Sequence, residues 1–338
     1  MKAIVSPQLE LLFSVLATGS YAERTKAYFG QSLLQNAVAS YQTEIQNMLQ
    51  PWLKHEIYHQ IDEMIEKGFC FSRPVELMMA VSAPPEMQWQ YRPSDFCFTL
   101  CGGQEQTELL LALLRDLAIK IDYTDCFPRL LHHYTAALAT VQAYLDQYPV
   151  VACLENFYGV KQNSYHCVIS HLPRGNFGIH FKDGQGKLDL FSVFSYIDPA
   201  NFASDQPVGV LSINTIFHEF SHPLVNPLTE SHPDLENAYR EAYQRLKSYK
   251  LAGIASGYGD WQECINEHMV RAIATHLTKN CCETAEAQRF QERDFRLGYR
   301  YMPALLSQLD CYEEQRQKYP TFADYYPELM RVFSEEII

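Results

Sequence analysis

Between Val208 and Glu230 the chain carries a single charged residue, Glu219, in a stretch rich in apolar side chains. Leu211, Ile213, Ile216, Phe217 and Phe220 surround it, and a helix that is apolar on nearly all sides has to be buried. Polar groups inside such a helix go into the core with it, where lone ones are costly. Two histidines, His218 and His222, are placed there beside Glu219. Residues four apart lie on one helix face, one turn apart. The two imidazoles therefore stand side by side, able to hold one metal ion, with Glu219 projecting to their flank. This is the H-E-x-x-H arrangement, in which the histidines bind zinc and the glutamate acts as general base. The competing reading is a pair of core histidines bonded to main-chain carbonyls.

The chain contains a second match, His55-Glu56-Ile57-Tyr58-His59. There Leu53, Ile57, Ile61, Met64 and Ile65 form one helical stripe. At about 100° per residue, His55 and His59 fall roughly opposite it, beside Asp62 and Glu66. That is a solvated face, and we expect no metal on it.

The formal net charge is -13, which disfavours nucleic acid or an anionic membrane as partner. No apolar run approaches the ~18 residues that span a bilayer. With 47% hydrophobic residues the chain can build a real core. Met1-Lys2-Ala3-Ile4-Val5 looks like the opening of a signal peptide, but Pro7, Gln8 and Glu10 interrupt the apolar core one would need. The ten cysteines include no C-x-x-C pair. Scattered thiols without a leader point to a reducing compartment, with cytoplasm as the expectation and non-classical export equally compatible. Oligomeric state is left open.

Residues 1–147 read as mostly helical, with helices expected over 8–18, 22–49, 51–67, 74–81, 104–120 and 127–147. His132 and His133 lie in the last of these, and adjacent helical residues point apart, so they read as ordinary. From about 149 the period changes to short β-prone runs at Val150–Leu154, Tyr165–Ile169, Phe177–Phe181 and Leu188–Phe194. The last two flank Asp183-Gly184-Gln185-Gly186, a hairpin turn. His166, His171 and His180 are dispersed by strand alternation and read as structural. Pro223 disfavours helical geometry at the residue before it, so the His218 helix should end or kink at His222. An amphipathic helix follows over 233–249, Gly253, Gly257 and Gly259 mark a loop, and a further helix runs from Trp261 to Lys279. Residues 284–338 are helical. The expected class is α+β and mostly helical: a zincin-like region over 148–338, in which a small antiparallel or mixed sheet precedes the histidine helix, and a helical region over 1–147, together one compact unit.

Catalytic zinc takes three protein ligands and leaves a fourth position open. The third candidate lies in Trp261–Arg271, where Glu263 and Glu267 share one helix face. One would be ligand and the other an outer carboxylate orienting an imidazole. His268 points about 100° away from Glu267 and is a weaker candidate. Arg271, one turn beyond Glu267, can pair with it or with a substrate carboxylate.

The Asn266-Glu267 pair resembles the third-ligand segment of the gluzincin zinc metallopeptidases, and that resemblance selects Glu267 over Glu263. The whole chain is also similar to a bacterial family of H-E-x-x-H proteins of unknown function. The matching stretches are Pro7–Leu12, Phe217–Pro227, Asn266–Ile273 and Tyr312–Phe322. Two features depart from established gluzincins: Pro223 directly after the second histidine, and the long separation between His222 and Glu267.

The expected activity is that of a zinc-dependent peptidase acting on a peptide or protein. Zn²⁺ held by His218, His222 and Glu267 would polarise the scissile carbonyl and bring its water's pKa toward ~7. Glu219 would take the water's proton and return it to the leaving amine. Tyr299, Tyr301 and His232 are candidates to stabilise the oxyanion. The alternatives are a zinc hydrolase of a non-peptide amide or ester, and a non-catalytic protein with a structural metal.

Overall fold

The computed structural model describes residues 1–35, 37, 39–195, 212–247, 249 and 260–336. The chain is a mostly helical α+β protein with one small mixed sheet among these residues. It divides into two compact units: Met1–Ala143 with Ser164–Leu211, and Tyr144–Asn163 with Ser212–Ile338. The division is thus not a single cut at 147. A helical excursion, 144–163, joins the second unit, and the sheet region belongs to the first.

In the first unit the sheet has the order β1-β2-β4-β3, with β1 Ala3–Ile4, β2 Ser164–Ser170, β3 Phe177–Lys182 and β4 Leu188–Ser195. β1 and β4 both run parallel to β2, and β3 is antiparallel to β4. The β3–β4 hairpin closes on Asp183, whose carboxylate accepts from the backbone of Gln185 and Lys187. The Ala3–Ile4 stretch that resembles a leader is therefore the strand that pairs with Cys167 and Val168.

The Pro7–Thr18 helix is started by Ser6, whose hydroxyl accepts from the Leu9 backbone. It buries Leu9, Leu11 and Leu12, and Glu10 with them, at 0% exposure. Such a carboxylate is tolerable only if its lone pairs are used. Tyr41, Tyr134 and Ser170 all donate to it. This ties the first helix to the Ala39–Leu49 helix, to the turn holding Tyr134 and to the end of β2. Burial still pushes the Glu10 carboxyl above the ordinary range.

Several expectations need correction. Val150–Leu154 is not a strand but opens the Val150–Tyr158 helix. Its buried residues, Val150, Cys153, Leu154, Phe157 and Tyr158, have helical spacing once the window extends past Leu154. Gly159 ends it at φ +70°, where a Cβ would come within 2.3 Å of the Pro320 carbonyl. The expected 22–49 helix is two, Tyr21–Phe29 and Ala39–Leu49, because Gly30 caps the first in the left-handed region. The 127–147 segment is likewise interrupted by a 3₁₀ turn at Leu131–Tyr134. The Gly253–Gly259 loop lies outside the described residues. Among the described residues no helix is long and apolar enough to cross a membrane. All ten cysteines are unpaired.

Candidate metal centre

The second unit is built around two long helices, Ile213–Ser231 and Trp261–Cys281. The first starts at Ser212, whose hydroxyl accepts from the Thr215 backbone; the second starts at Asp260, which accepts from Glu263. Asn214 donates to Thr278 at one end of the pair, and Thr229 donates to Asn266 toward the other. Those pairings make the helices antiparallel and bring the middle of the first opposite the front half of the second.

Contrary to expectation, the first helix neither ends nor breaks at His222. It continues through Pro223 and Pro227 to Ser231. Pro223 cannot give the usual hydrogen bond to the Glu219 carbonyl. The burial of Pro223, Val225 and Thr229 beyond it holds the helical path. Tertiary packing here overrides the local preference of residue 222.

On this pair, His218, His222 and Glu267 converge. The two Nε2 atoms face each other at 3.1 Å, and Glu267 comes within 3.4 Å of His222 Nε2 and 3.9 Å of His218 Nε2. Tetrahedral zinc with nitrogen ligands at about 2.0–2.1 Å spaces its donors by about 3.3 Å, so the separations suit one small cation. The electrostatics point the same way. Burial pushes His218 well below the usual imidazole range. For His222 burial works against charge as well, but the hydrogen bond and charge of Glu267, the charge of Glu219, and Asn226 outweigh it and lift the ring to about 8. Glu267 is opposed by burial too, yet Arg271 and the two histidines hold it well below the usual carboxylate range. The cluster therefore favours a proton on His222, beside an ionised Glu267 and a neutral His218.

His222 Nδ1–H donates to Asn226 Oδ1 at 3.3 Å, which turns its Nε2 toward the centre. Asn226 is the residue that sequence reasoning missed. It lies one turn after His222, and reading the helix as broken at Pro223 concealed that they share a face. Glu219 is buried, with Oε1 4.0 Å from His218 Nε2. It flanks the centre without entering the three-residue donor set. Glu263, the alternative ligand, is exposed in the first turn of its helix and lies outside the cluster.

Arg271 pairs with Glu267, Nε to Oε2 at 3.1 Å, and reaches Asp294 with Nη1 at 3.2 Å. Its guanidinium lies 4.3 Å from the centre of the Tyr299 ring. Asp294 and Arg293, on the Thr284–Arg296 helix, carried no sequence signal. His268 is no ligand: its Nδ1–H donates to the Cys264 carbonyl and the ring faces Tyr299, Tyr301 and Phe333. Of the oxyanion candidates, Tyr301 accepts from Arg245 and His232 bonds the Leu228 carbonyl, so both are engaged elsewhere. Tyr299 alone is linked to the centre, through Arg271.

Four histidines of the first unit lie outside this donor set. His55 is the N-cap of the Glu56–Lys67 helix and bonds Asp116 at 2.8 Å, so it is packed rather than solvated as expected; His59 is exposed beside Glu63. His132 and His133 do approach each other, with ring centres 3.7 Å apart, because the 3₁₀ turn places them differently from an α-helix. They group with Glu44, which holds His133 Nε2 at 2.8 Å.

Fold and site together describe a helical α+β protein carrying a half-buried His-His-Glu donor set on an antiparallel helix pair. Residues 1–332 match the family described as a domain of unknown function, DUF4932, and the chain belongs to it. No curated protein matches the chain, and no solved structure does.

Proposed function

We propose that this protein is a zinc-dependent hydrolase of the metallopeptidase type, with His218, His222 and Glu267 as metal ligands and Glu219 as general base. The observation that carries the reading is the convergence of two ring nitrogens, 3.1 Å apart, and one carboxylate, with a second buried carboxylate at their flank. Three protein donors leave a coordination position open, as catalytic rather than structural zinc requires. The bound ion would supply a Lewis acid that polarises the scissile carbonyl and acidifies water. Glu219 takes the proton of the attacking water and delivers it to the leaving amine. Asn226 holds His222 in the tautomer that leaves Nε2 free. The likeness of Asn266-Glu267 to the gluzincin third-ligand segment supports the peptidase assignment and a zincin-like core. The unpaired thiols suit action in a reducing compartment such as the cytoplasm.

The test is elemental analysis of the purified protein, followed by turnover of a peptide library by wild type and Glu219→Gln. Retained zinc with activity reduced by about 10²–10⁴-fold supports Glu219 as the base. Full activity in the variant, or protein that takes up no zinc, overturns the proposal. Turnover of amides or esters but not peptides would keep the chemistry and replace the substrate.

A further inference from the structure

Beside the donor set, the second unit holds a charged relay that metal binding alone does not call for. Glu267 pairs with Arg271, Arg271 pairs with Asp294, and Asp294 Oδ1 receives both Nε and Nη2 of Arg293 at 2.9 and 2.8 Å. Asp294 is 1% exposed, so its carboxylate is committed to the two guanidiniums. Arg293 differs from Arg271. Its side chain is 38% exposed, its guanidinium lies 4.3 Å from the Phe290 ring centre, and among the described residues its Nη1 makes no hydrogen bond. Two ion pairs, Arg271 with Glu267 and Arg271 with Asp294, link it to the donor set. The relay thus presents one held, partly solvated cation, joined to the centre through Asp294 and Arg271, with a donor edge to spare.

We infer that Arg293 is the subsite for a carboxylate of the substrate, so that the site accepts short peptides by their free C-terminus. The inference rests on the hydrolase reading above and adds its substrate class. A guanidinium braced by a buried carboxylate keeps its plane fixed, and fixed donors recognise a carboxylate better than a free-swinging side chain does. Charge balance agrees. With a divalent cation in place, the carboxylates of Glu219, Glu267 and Asp294 face that ion and the guanidiniums of Arg271 and Arg293. One positive charge is left over, which an anionic substrate group neutralises. Arg271 is the positioning residue, because its donors already serve Glu267 and Asp294.

The test separates binding from turnover. Zinc-loaded Glu219→Gln protein is titrated by calorimetry with a panel of N-acetylated dipeptides, each as free acid and as C-terminal amide. The acids are expected to bind roughly tenfold or more tightly than the amides, as a lost charge-assisted hydrogen bond implies. Adding Arg293→Gln should erase that difference, and Arg293→Lys should restore part of it, with the melting temperature recorded for each. Equal binding of acids and amides, or no binding by either, overturns the subsite. So does an acid preference that survives Arg293→Gln, since the carboxylate is then held elsewhere, on the metal itself for example. An enzyme that turns over amides as well as acids loses this inference and keeps the hydrolase reading. An acid preference in a protein that turns over neither keeps Arg293 as a carboxylate-binding group but overturns the hydrolase reading, and the substrate subsite with it.

Discussion

Arg271 reaches back one helical turn to Glu267, Nε to Oε2 at 3.1 Å, so one proposed metal ligand is also half of a mostly buried ion pair. The guanidinium holds the carboxylate ionised and offsets part of its charge before any cation arrives. Removing one partner of such a pair leaves the other uncompensated, which is costlier than the pair is stabilising. Arg271→Met should therefore destabilise the chelated protein by about 3 kcal/mol. The zinc-loaded protein should lose less, because the ion compensates Glu267. Denaturant unfolding with and without chelator measures both, and equal losses in the two states would contradict the pairing.

Asn226 acts on the centre only through His222, accepting its Nδ1–H at 3.3 Å. Loss of such an outer partner typically costs 10–100-fold in metal affinity. Asn226→Leu should show that loss in competition with a chromophoric chelator while the far-ultraviolet dichroism stays unchanged. Unaltered affinity would mean that the ring is oriented by something else.

The pH dependence follows from His222 and has a definite sign. In the metal-free protein its ring is lifted to about 8 from the ordinary 6.5. A raised imidazole contributes stability that is complete below about 6.5 and is lost as pH rises toward 8. Chelated protein should thus lose up to about 2 kcal/mol across that window. Below it the sign reverses, since burial holds His218 well down and His268 down to about 4, so acidification favours the unfolded chain. Metal must displace the His222 proton, so apparent zinc affinity should climb up to tenfold per pH unit below about 8 and level off above. Melting curves from pH 6 to 9, with and without chelator, should diverge as pH rises.

Glu10 offers a prediction confined to the first unit. Its replacement by Ala removes the shared acceptor of the buried Tyr41, Tyr134 and Ser170 hydroxyls, of which Tyr134 alone keeps another acceptor, Tyr41 at 3.3 Å. Each unsatisfied group costs about 1–3 kcal/mol, so with Tyr41 and Ser170 left without an acceptor Glu10→Ala should lower stability by about 2 kcal/mol or more. Zinc content should be unaffected, because the donor set lies in the second unit. A melting temperature within a degree of wild type would refute the role given to Glu10.

What could be read from the sequence was whatever a few consecutive turns decide. Four-residue spacing put His218 and His222 on one face; the almost uncharged surround argued for full burial, and the structure leaves both rings half-buried. The turn at Asp183 and the runs at Tyr165–Ile169, Phe177–Phe181 and Leu188–Phe194 were legible for the same reason: hairpin chemistry and strand alternation act over a handful of residues. Reading failed where a local rule met a distant contact. Proline after His222 argued for a break, and packing along the partner helix carried the helix on. The apolar run at Val150 suggested a strand, because five residues are too few to distinguish the two periods.

Helix spacing left open which carboxylate meets the histidines; only a family resemblance favoured Glu267, and the tertiary structure brings it there. Glu263 and Glu267 occupy one face of one helix, and nothing in their spacing ranks them. The antiparallel register, set by Asn214 with Thr278 and by Thr229 with Asn266, brings Glu267 to the imidazoles and leaves Glu263 exposed. Spacing along a helix fixes direction within one element. Convergence between elements depends on how their buried faces interlock, which no local pattern encodes. Asn226, Asp294 and Arg293 joined the site by that route.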